Sequence, residues 1–483
     1  MASCTDLFLC LDQGGHASRA VVFDGSGEKV AELSRDTVTT VNGMRVELEA
    51  NSLVTAMQQL ISDIIQQLGS DANRLVAAGL ATQRSNIACW HRQTGEPLAP
   101  IFSWQDRRAV RLVEGLDPAW VHAKTGLYPN AHYGASKLAW CLQNLDEVKR
   151  AAQSGDLYLG PMASFLGHAL TMKPGSVQAY ADPANATRTL LYNLHKLNWD
   201  DDLCGYFSIP QSALPSCVPS RYEYGDLTWL GGKLPLRIIT GDLSAAAFVH
   251  GRPQTDIAYI TLGTGAFVQR ILQQNLVTDL RLLNGIIWHD GEQGLYSLEG
   301  TVNGAASALQ WFARQQGLDM DYVQQHLSSW CEQIESPSLF TNGVSGLGSP
   351  FWQAEFVPRF IGEGDVAAQA VAVVESIVFL LYENLCLMHR YLSPPGKILL
   401  SGGLSALDGL CQRLADLSGI DVERSAESEG TAKGLAYLLS DMPEQWRAKI
   451  DRRFSARPNE GLRQRYQSWR NTMLAETGYT EEA

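Results

Sequence analysis

The sequence lacks the features that mark several other classes of protein. Only 18% of its 483 residues are charged, and the formal net charge of −13 comes without any cluster of Lys and Arg. An acidic chain repels a nucleic-acid backbone, so no nucleic-acid partner is expected. No stretch reaches the ~18 consecutive apolar residues of a membrane span. The opening MASCTDLFLC also has no basic segment of a signal peptide, so we expect no membrane partner.

Cysteine is sparse, and its spacing excludes further classes. Nine cysteines occur singly, with no Cys-x-x-Cys pair among them. This pattern disfavours both a structural zinc site and a disulfide framework. An odd number of scattered thiols in a long chain is typical of a reducing compartment, so we expect a cytoplasmic protein.

The apolar pattern that is present repeats once along the chain. A strand, a glycine turn and a second strand are predicted over residues 7–23, and the same order returns over residues 256–272. The remaining predicted elements are strands at 29–35, 76–82, 87–92 and 397–400 and helices at 52–68, 302–316 and 367–392, the first helix being capped by Asn51 or Ser52.

The length predicts at least two domains, because a domain usually holds roughly 100–200 residues. Gly251 and Pro253 interrupt an apolar run and indicate the boundary. We expect an N-terminal domain over residues 1–250, a C-terminal domain over 251–440 and a tail of peripheral helices over 441–483. In a duplicated architecture of this kind each half can contribute one loop to a shared cleft.

Glycine turns follow predicted strands at three places: Asp12-Gln13-Gly14-Gly15, Gly263-Thr264-Gly265 and Ser401-Gly402-Gly403. A carboxylate at a strand end can hold magnesium, while backbone N–H groups and a Thr hydroxyl face phosphate oxygens. The third turn can lie beneath a nucleotide base or ribose. Each turn alone can equally be a plain turn without a ligand. Three such turns in one chain favour nucleotide binding.

Three polar or aromatic side chains are candidates for contact with a substrate. Asp242 follows a buried strand and can accept a proton from a hydroxyl, although an N-cap for the next helix is an equal alternative. Arg84 can hydrogen-bond hydroxyls in a fork or form an ordinary salt bridge. Trp104 can provide a flat wall for a carbon chain or lie in the core.

Taken in order, these segments resemble the FGGY carbohydrate kinases, and among them the glycerol kinases, over about residues 7–440. The matching segments are Asp12-Gln13-Gly14 with Ser18-Arg19, Thr82-Gln83-Arg84, Trp104-Gln105-Asp106-Arg107-Arg108, Thr125-Gly126-Leu127, Ser136-Lys137-Leu138-Ala139-Trp140, DPANATRTLLYN from Asp182 to Asn193, Gly241-Asp242, Gly263-Thr264-Gly265, Glu299-Gly300, Gln310-Trp311, Gly346-Leu347-Gly348-Ser349-Pro350-Phe351-Trp352 and Gly402-Gly403.

The resemblance implies an α/β fold of two actin-like (ribonuclease H-like) domains with a nucleotide and sugar cleft between them. It implies ATP and Mg²⁺, with Asp12 positioning the metal and Asp242 acting as the base. The residues implied at the polyol are Arg84, Ser85, Trp104, His132, Tyr133, Asp242, Leu243 and Phe267. Those implied at the nucleotide are Gly14, Gly15, His16, Ser18, Arg19, Thr264, Gly265, Gln310, Gly402 and Gly403.

The chain also departs from the family pattern. Gly15-His16 stands where the family usually has two hydroxyl residues, and a protonated His16 is the remaining donor. Ser85 replaces a Glu that binds glycerol, and Leu243 replaces a Gln after the base. A site built to pair hydroxyls discriminates through its own polar groups, so these changes put glycerol itself in doubt.

The sequence therefore predicts in-line phosphoryl transfer from MgATP to a hydroxyl of a small polyol or sugar. One alternative is a degenerate kinase that binds ATP as a regulatory module without turnover, which the altered first loop favours and the retained Asp12 and Asp242 oppose. A second is an actin-like ATPase, which would have no use for Arg84, Trp104 and Asp242 together. A homodimer is one assembly compatible with the sequence.

Overall fold

A computed structural model describes residues 5–173, 177–229, 232–273, 276–427, 429–444, 446 and 449–479. By the packing of its backbone the chain divides into two units that interleave along the sequence. Unit 1 comprises Met1–Pro253, Asn284–Tyr296 and Glu429–Arg447, and unit 2 comprises Gln254–Leu283, Ser297–Ser428 and Ala448–Ala483. The linear domain bounds 1–250 and 251–440 stay predictions.

The strands of the described chain are short to medium in length, and fifteen of them precede residue 250. They are β1 Leu7–Gln13, β2 Ala17–Asp24, β3 Lys29–Asp36, β4 Thr39–Asn42, β5 Arg45–Leu48, β6 Leu75–Thr82, β7 Ile87–His91, β8 Ile101–Phe102, β9 Leu157–Pro161, β10 Tyr180–Ala181, β11 Tyr192–Asn193, β12 Asn198–Trp199, β13 Ser216–Cys217, β14 Arg221–Trp229, β15 Gly232–Gly241, β16 Ile257–Leu262, β17 Ala266–Leu272, β18 Leu283–His289, β19 Gly294–Val302, β20 Leu339–Thr341, β21 Arg359–Ile361, β22 Lys397–Ser401, β23 Val422–Ser425 and β24 Ile450–Phe454.

The helices range from one turn to six turns. They are α1 Ala50–Leu68, α2 Pro118–Thr125, α3 Gly134–Asn144, α4 Asp146–Ser154, α5 Met162–Thr171, α6 Pro183–Ala186, α7 Asp201–Tyr206, α8 Asp242–Ala246, α9 Ala306–Gln316, α10 Met320–Gln333, α11 Val366–Met388, α12 Asp408–Ser418, α13 Gly430–Leu439 and α14 Glu460–Thr477. Tighter helical turns lie at Gly69–Arg74, Val110–Leu112, Thr187–Thr189, Gln211–Ala213 and Gly403–Ala406.

The main sheet of unit 1 has six strands in the order β14-β15-β6-β1-β2-β3. Its centre is parallel, because β6 pairs in parallel with both β1 and β15. Strand β1 is fully buried, and its apolar residues pack with helix α1 into one core cluster. The carboxyl ends of β1, β6 and β15 therefore meet at one edge of the sheet.

Unit 2 repeats this arrangement. Six of its strands follow in the order β19-β17-β16-β22-β23-β24, with β16 antiparallel to β17 and parallel to β22. Strand β1 likewise pairs antiparallel with β2 and parallel with β6. The strand, glycine turn and strand predicted twice from sequence are thus confirmed as two hairpins in equivalent places of two sheets.

Helix α1 begins earlier than predicted and has a different cap. The cap is Glu49, whose carboxylate accepts hydrogen bonds from the backbone N–H groups of Asn51 and Ser52. The prediction of Asn51 or Ser52 as the cap was therefore wrong. Both residues lie in the first turn, where their N–H groups need an acceptor.

The long helix α11 is the most apolar helix of the described chain. It is long and apolar enough to cross a membrane, yet 89% of its most apolar window is buried inside the protein. Residues as polar as Glu375 and Asn384 are buried with it. This burial is typical of a core helix.

The tail differs from the predicted run of peripheral helices. Strand β24 pairs antiparallel with β23 and so extends the sheet of unit 2. Helix α14 buries Tyr466 and Trp469, and the indole N–H of Trp469 donates to Phe340 O at 3.0 Å. The tail from β24 onward is therefore an integral part of unit 2.

Helices α8 and α13 cross in unit 1 with their backbones in contact. An ideal Cβ on Gly434 would lie 1.9 Å from Ala245 O, closer than any side chain permits. A Cβ on Gly79 of β6 would lie 2.8 Å from Leu435 of the same helix. Glycine at 434 therefore lets α13 approach α8, the helix that begins at Asp242.

We predict that Gly434→Ala lowers the midpoint of thermal unfolding by on the order of 5 °C, because the added methyl forces two helices apart. Differential scanning calorimetry measures this change. Gly430→Ala in the same helix is the matched control, since a Cβ there meets nothing within 4 Å. Equal midpoints for the two variants would contradict the tight crossing.

Candidate functional site

Three predicted residues lie at the carboxyl ends of neighbouring parallel strands in unit 1. In the strand register, Asp12 of β1 and Thr240 of β15 each stand opposite Ala81 of β6. Arg84 lies two residues beyond the end of β6, and Asp242 directly follows β15. Ligands of open α/β sheets bind at this edge, outside the carboxyl ends of strands. The structure thus brings Asp12, Arg84 and Asp242 together.

The hairpin between β1 and β2 is held by its own polar groups. Gly14 N–H donates to Ala17 O at 3.0 Å, and Ser18 Oγ donates to Gln13 Oε1 at 2.6 Å. Ser18 is buried, so its hydroxyl stabilises the hairpin. A Cβ on Gly15 would lie 2.8 Å from Gln83 Nε2. A hydroxyl residue at position 15 would therefore require Gln83 to move.

His16 lies in the turn of this hairpin and has an exposed side chain. Its backbone O accepts a hydrogen bond from Thr37 N–H at 2.8 Å. Its imidazole is free to face solvent or a ligand at the tip of the loop. The backbone N–H groups of such a tip are the usual partners of phosphate oxygens.

Asp12 is a buried carboxylate in an acidic neighbourhood. The residue is 5% exposed, and Oδ1 has no hydrogen-bond partner in the described part of the chain. Arg19 Nη1 lies 3.9 Å from Asp12 Oδ2 and 3.2 Å from Glu429 Oε2. Burial, and next the charge of Asp242, raise the pKa of Asp12 to about 7.

Asp242 is the first residue of helix α8 and is half-buried. The cap of that helix is Gly241, and Asp242 Oδ1 accepts from Leu243 N–H at 2.7 Å. Burial raises the pKa of Asp242, and the guanidinium of Arg84 opposes that rise. A Cβ on Gly241 would lie 2.6 Å from Arg84 Cδ, so the Arg84 side chain lies directly on this glycine.

Trp104 and His132 form an aromatic pair on two loops of unit 1. Their ring centroids are 5.2 Å apart and both side chains are half-buried, so Trp104 is not a core residue. Tyr133 is 4% exposed. Burial, followed by the charges of Arg107 and Lys137, lowers the pKa of His132 well below its usual range. A neutral imidazole offers one donor and one acceptor to hydroxyls.

The backbone of Trp104 is fixed on both sides. Its N–H donates to Asn86 Oδ1 at 2.7 Å, and its carbonyl accepts from Arg107 Nη1 at 2.6 Å. Asn86 in turn donates to Gln83 Oε1 at 3.3 Å. The loop that carries Arg84 and the loop that carries Trp104 are therefore connected by direct hydrogen bonds.

Ser85 adopts an unusual backbone conformation. Its φ of 66° lies in the left-handed region, which non-glycine residues seldom enter. Its hydroxyl is buried and has no hydrogen-bond partner in the described part of the chain. Strained residues of this kind persist where surrounding contacts fix them, often beside functional sites.

Unit 2 brings the predicted nucleotide turns together in the same way. The hairpin turn Gly263-Thr264-Gly265 lies against the start of α9, where Thr264 O accepts from Ala305 and Ser307 N–H groups at 3.1 Å. Thr264 itself is exposed. Gln310 is exposed on the second turn of α9, and Phe267 is half-buried on β17.

The turn after β22 comes close to the same hairpin. Gly402 has a φ of 90°, and a Cβ there would lie 2.4 Å from Leu262 O at the end of β16. Only glycine fits this combination of conformation and approach. A Cβ on Gly403 would meet nothing within 4 Å, so open space lies beside this residue.

Two residues of the unit 1 site were missed by the sequence interpretation. Glu429 pairs with Arg19 beside Asp12 although it is distant in sequence, and burial raises its pKa. Asn86 holds Trp104. No local sequence pattern identifies either residue, because both act through partners elsewhere in the sequence.

A magnesium ion fits the surroundings of Asp12. The buried, unsatisfied Oδ1 is the kind of hard oxygen ligand that Mg²⁺ prefers. Among the described residues there is no group of three or more His, Cys, Asp or Glu side chains that could hold a metal. Mg²⁺ commonly binds through one or two carboxylates and substrate phosphates, and this donor set matches that mode.

Comparison with known proteins gives one consistent result. The N-terminal domain of the FGGY family of carbohydrate kinases matches residues 7–248, and its C-terminal domain matches residues 258–440. A glycerol kinase from Geobacter sp. (strain M21) is 31% identical over 498 residues, covering 98% of this chain and 99% of the relative.

Solved structures show the same fold. A Plasmodium falciparum glycerol kinase with ADP has a TM-score of 0.85 at 22% identity, covering 98% of this chain and 99% of that one. A gluconate kinase from Lactobacillus acidophilus has a TM-score of 0.83 at 20% identity, with 98% of both chains covered. At these identities the likeness establishes the two-domain actin-like architecture.

We predict that Ser85→Gly is more stable than Ser85→Ala by about 1 kcal/mol, because both lose the hydroxyl and only alanine keeps the left-handed strain. Chemical denaturation followed by tryptophan fluorescence compares them. Equal stability of the two variants would show that the conformation at position 85 carries no strain.

Proposed function

The chain belongs to the FGGY family of carbohydrate kinases, and we propose that it transfers the γ-phosphoryl group of ATP to a primary hydroxyl of a small polyol or sugar. As a member of this family it is an ATP-dependent kinase that uses Mg²⁺. The acceptor, the residue roles and the cellular location below are part of the proposal.

The observation that carries the proposal is the shared edge of β1, β6 and β15. A buried carboxylate, Asp12, lies there near a half-buried carboxylate, Asp242, whose charge interacts with the guanidinium of Arg84. A metal-positioning group, a base and a hydroxyl-binding cation are the parts that phosphoryl transfer requires.

In the proposed reaction Arg84 and Trp104 orient the acceptor. Its hydroxyl oxygen attacks the γ-phosphorus in line, the bond to the β-phosphate oxygen breaks, and ADP leaves. Asp242 accepts the hydroxyl proton late in the transfer. Magnesium, when bound, offsets charge on the phosphate oxygens. Most of the acceleration comes from positioning and electrostatics, since the phosphoryl group needs little covalent help.

The proposed nucleotide contacts are backbone groups of glycine turns. In unit 1 the proposed contacts are the backbone N–H groups of Gly15 and His16, while Gly14 closes the turn through its own N–H to Ala17 O. Arg19 supplies positive charge. In unit 2 the corresponding residues are Thr264, Gly265, Gln310, Gly402 and Gly403. Ser18 supports the first turn through Gln13.

The acceptor is proposed to be less polar at one end than glycerol, or larger. Ser85 and Leu243 supply fewer hydrogen-bonding groups than the Glu and Gln of the glycerol kinase pattern. His132, beside Trp104, provides a neutral imidazole, and Tyr133 and Phe267 are the remaining proposed contacts. A cytoplasmic location and a homodimeric assembly also stay proposals.

We predict that Asp242→Asn lowers kcat by at least about 100-fold, because the amide cannot accept the proton. Nucleotide binding, measured by calorimetry with ADP, and the thermal midpoint should remain unchanged. Asp226→Asn, a carboxylate of the same sheet that pairs with Lys173, is the control and should keep full activity. Turnover by Asp242→Asn near the wild-type rate would remove Asp242 as the base.

A coupled ADP-release assay over glycerol, longer polyols, pentuloses and aldonates identifies the acceptor. We expect at least one sugar or polyol larger than glycerol to give a higher kcat/KM than glycerol does. Tight ATP binding with no turnover over the whole panel would instead support a regulatory module.

A further inference from the structure

The ammonium group of Lys137 is fully buried in unit 1 and surrounded by backbone carbonyls. Lys137 lies in the first turn of α3 and is 0% exposed. Its Nζ donates to Ser85 O at 2.7 Å, to His132 O at 2.9 Å and to Ser103 O at 3.0 Å. These acceptors come from three loops that are far apart in sequence.

The number of donors matches the number of acceptors. A charged lysine has three N–H hydrogens, and a neutral amine has only two, so three carbonyl acceptors select the charged form. Burial and the neighbouring charge of Arg107 lower the pKa of Lys137 well below its usual range. The three carbonyl dipoles therefore offset a real cost of burying this charge.

Each of the three loops carries a proposed acceptor contact. We call residues 83–86, 103–104 and 131–133 the acceptor loops. They hold Arg84 and Ser85, Trp104, and His132 with Tyr133, respectively. One buried atom thus joins every unit 1 loop that is proposed to contact the acceptor, apart from the segment at Asp242.

The hydrogen bond from Lys137 to Ser85 also holds the left-handed backbone conformation of Ser85. The shortest of the three hydrogen bonds ends on the carbonyl of Ser85, whose φ is 66°. A conformation that costs roughly 1–2 kcal/mol needs contacts that hold it. Ser85 directly follows Arg84. The backbone conformation at Ser85 therefore helps to fix the position of the Arg84 side chain.

Burying a charged side chain does not by itself stabilise the folded protein. Apolar side chains of similar volume at such positions are often neutral or stabilising, because they avoid the desolvation of the ion. A lysine that satisfies three carbonyls is instead suited to fix geometry, since each loop end is held at one point.

We propose that Lys137 is a positioning residue that sets the relative placement of Arg84, Trp104 and His132 and thereby the affinity for the acceptor. This inference rests on the proposed function. It extends that function to a residue that touches neither the acceptor nor the nucleotide.

The test is Lys137→Met, which keeps an unbranched side chain only one atom shorter and removes every donor. We expect kcat/KM for the best acceptor of the panel to fall about 100-fold, mostly through KM, because misplacement of about 1 Å costs that much. The KM for ATP should stay within about twofold. Hydrogen–deuterium exchange should rise in peptides covering the three acceptor loops and stay unchanged in α1.

Met57→Ala is the matched control, because it destabilises the same unit from a fully buried site on α1 outside the acceptor loops. It should lower the thermal midpoint without changing the acceptor KM. If Lys137→Met does not fold, Lys137→Gln, which retains two N–H donors, should give a smaller defect of the same kind.

Two outcomes overturn the inference: an unchanged acceptor KM in a folded Lys137 variant, or an exchange increase spread evenly over unit 1. The exchange measurement needs no substrate. If no acceptor is phosphorylated by the wild-type protein, localised exchange would still support the positioning of the loops while the proposed function itself fails.

Discussion

The register of three parallel strands is the constraint on which the unit 1 site depends. Asp12 and Thr240 each stand opposite Ala81, so the residues that leave β1, β6 and β15 emerge side by side. A slip of one residue would turn every side chain of a strand to the other face of the sheet. The buried strands prevent that slip, since their apolar residues are committed to the core. The mutual repulsion of Asp12 and Asp242 is a direct result of this fixed spacing.

Much of this arrangement was accessible from the sequence because short-range patterns determine it. The two hairpins, α1 and β22 follow from apolar runs bounded by glycine, and Asp12 and Asp242 could be assigned to strand ends. The long-range partners could not be assigned. Glu429 reaches Arg19 because α13, which begins one residue later, packs against β1 and β2 as well as α8. The carbonyl contacts of Lys137 depend on the paths of three loops, which no periodicity encodes.

The errors of the sequence interpretation have similar physical reasons. Helix α1 is capped by Glu49 because a longer acidic side chain can reach the same N–H groups that a shorter cap would serve. Residues 294–302 form β19, so the helix predicted from 302 begins only at Ala306 as α9. The sequence of residues 441–483 is polar and predicts helices. Strand β24 forms there nevertheless, because the edge of β23 offers unpaired backbone groups with which it pairs.

The contact of Gly434 with Ala245 has a consequence for how this enzyme could change its substrate. Because the two helices touch through their backbones, a larger residue at position 434 would push the helix that follows Glu429 away from the helix that bears Asp242. Among the proposed acceptor contacts, Leu243 and His132 are half-buried side chains at a helix start and in a loop, so variation of the acceptor range is expected there. Evolution or a designer can therefore vary the proposed contact side chains, while the glycine that lets the two helices meet has to be kept.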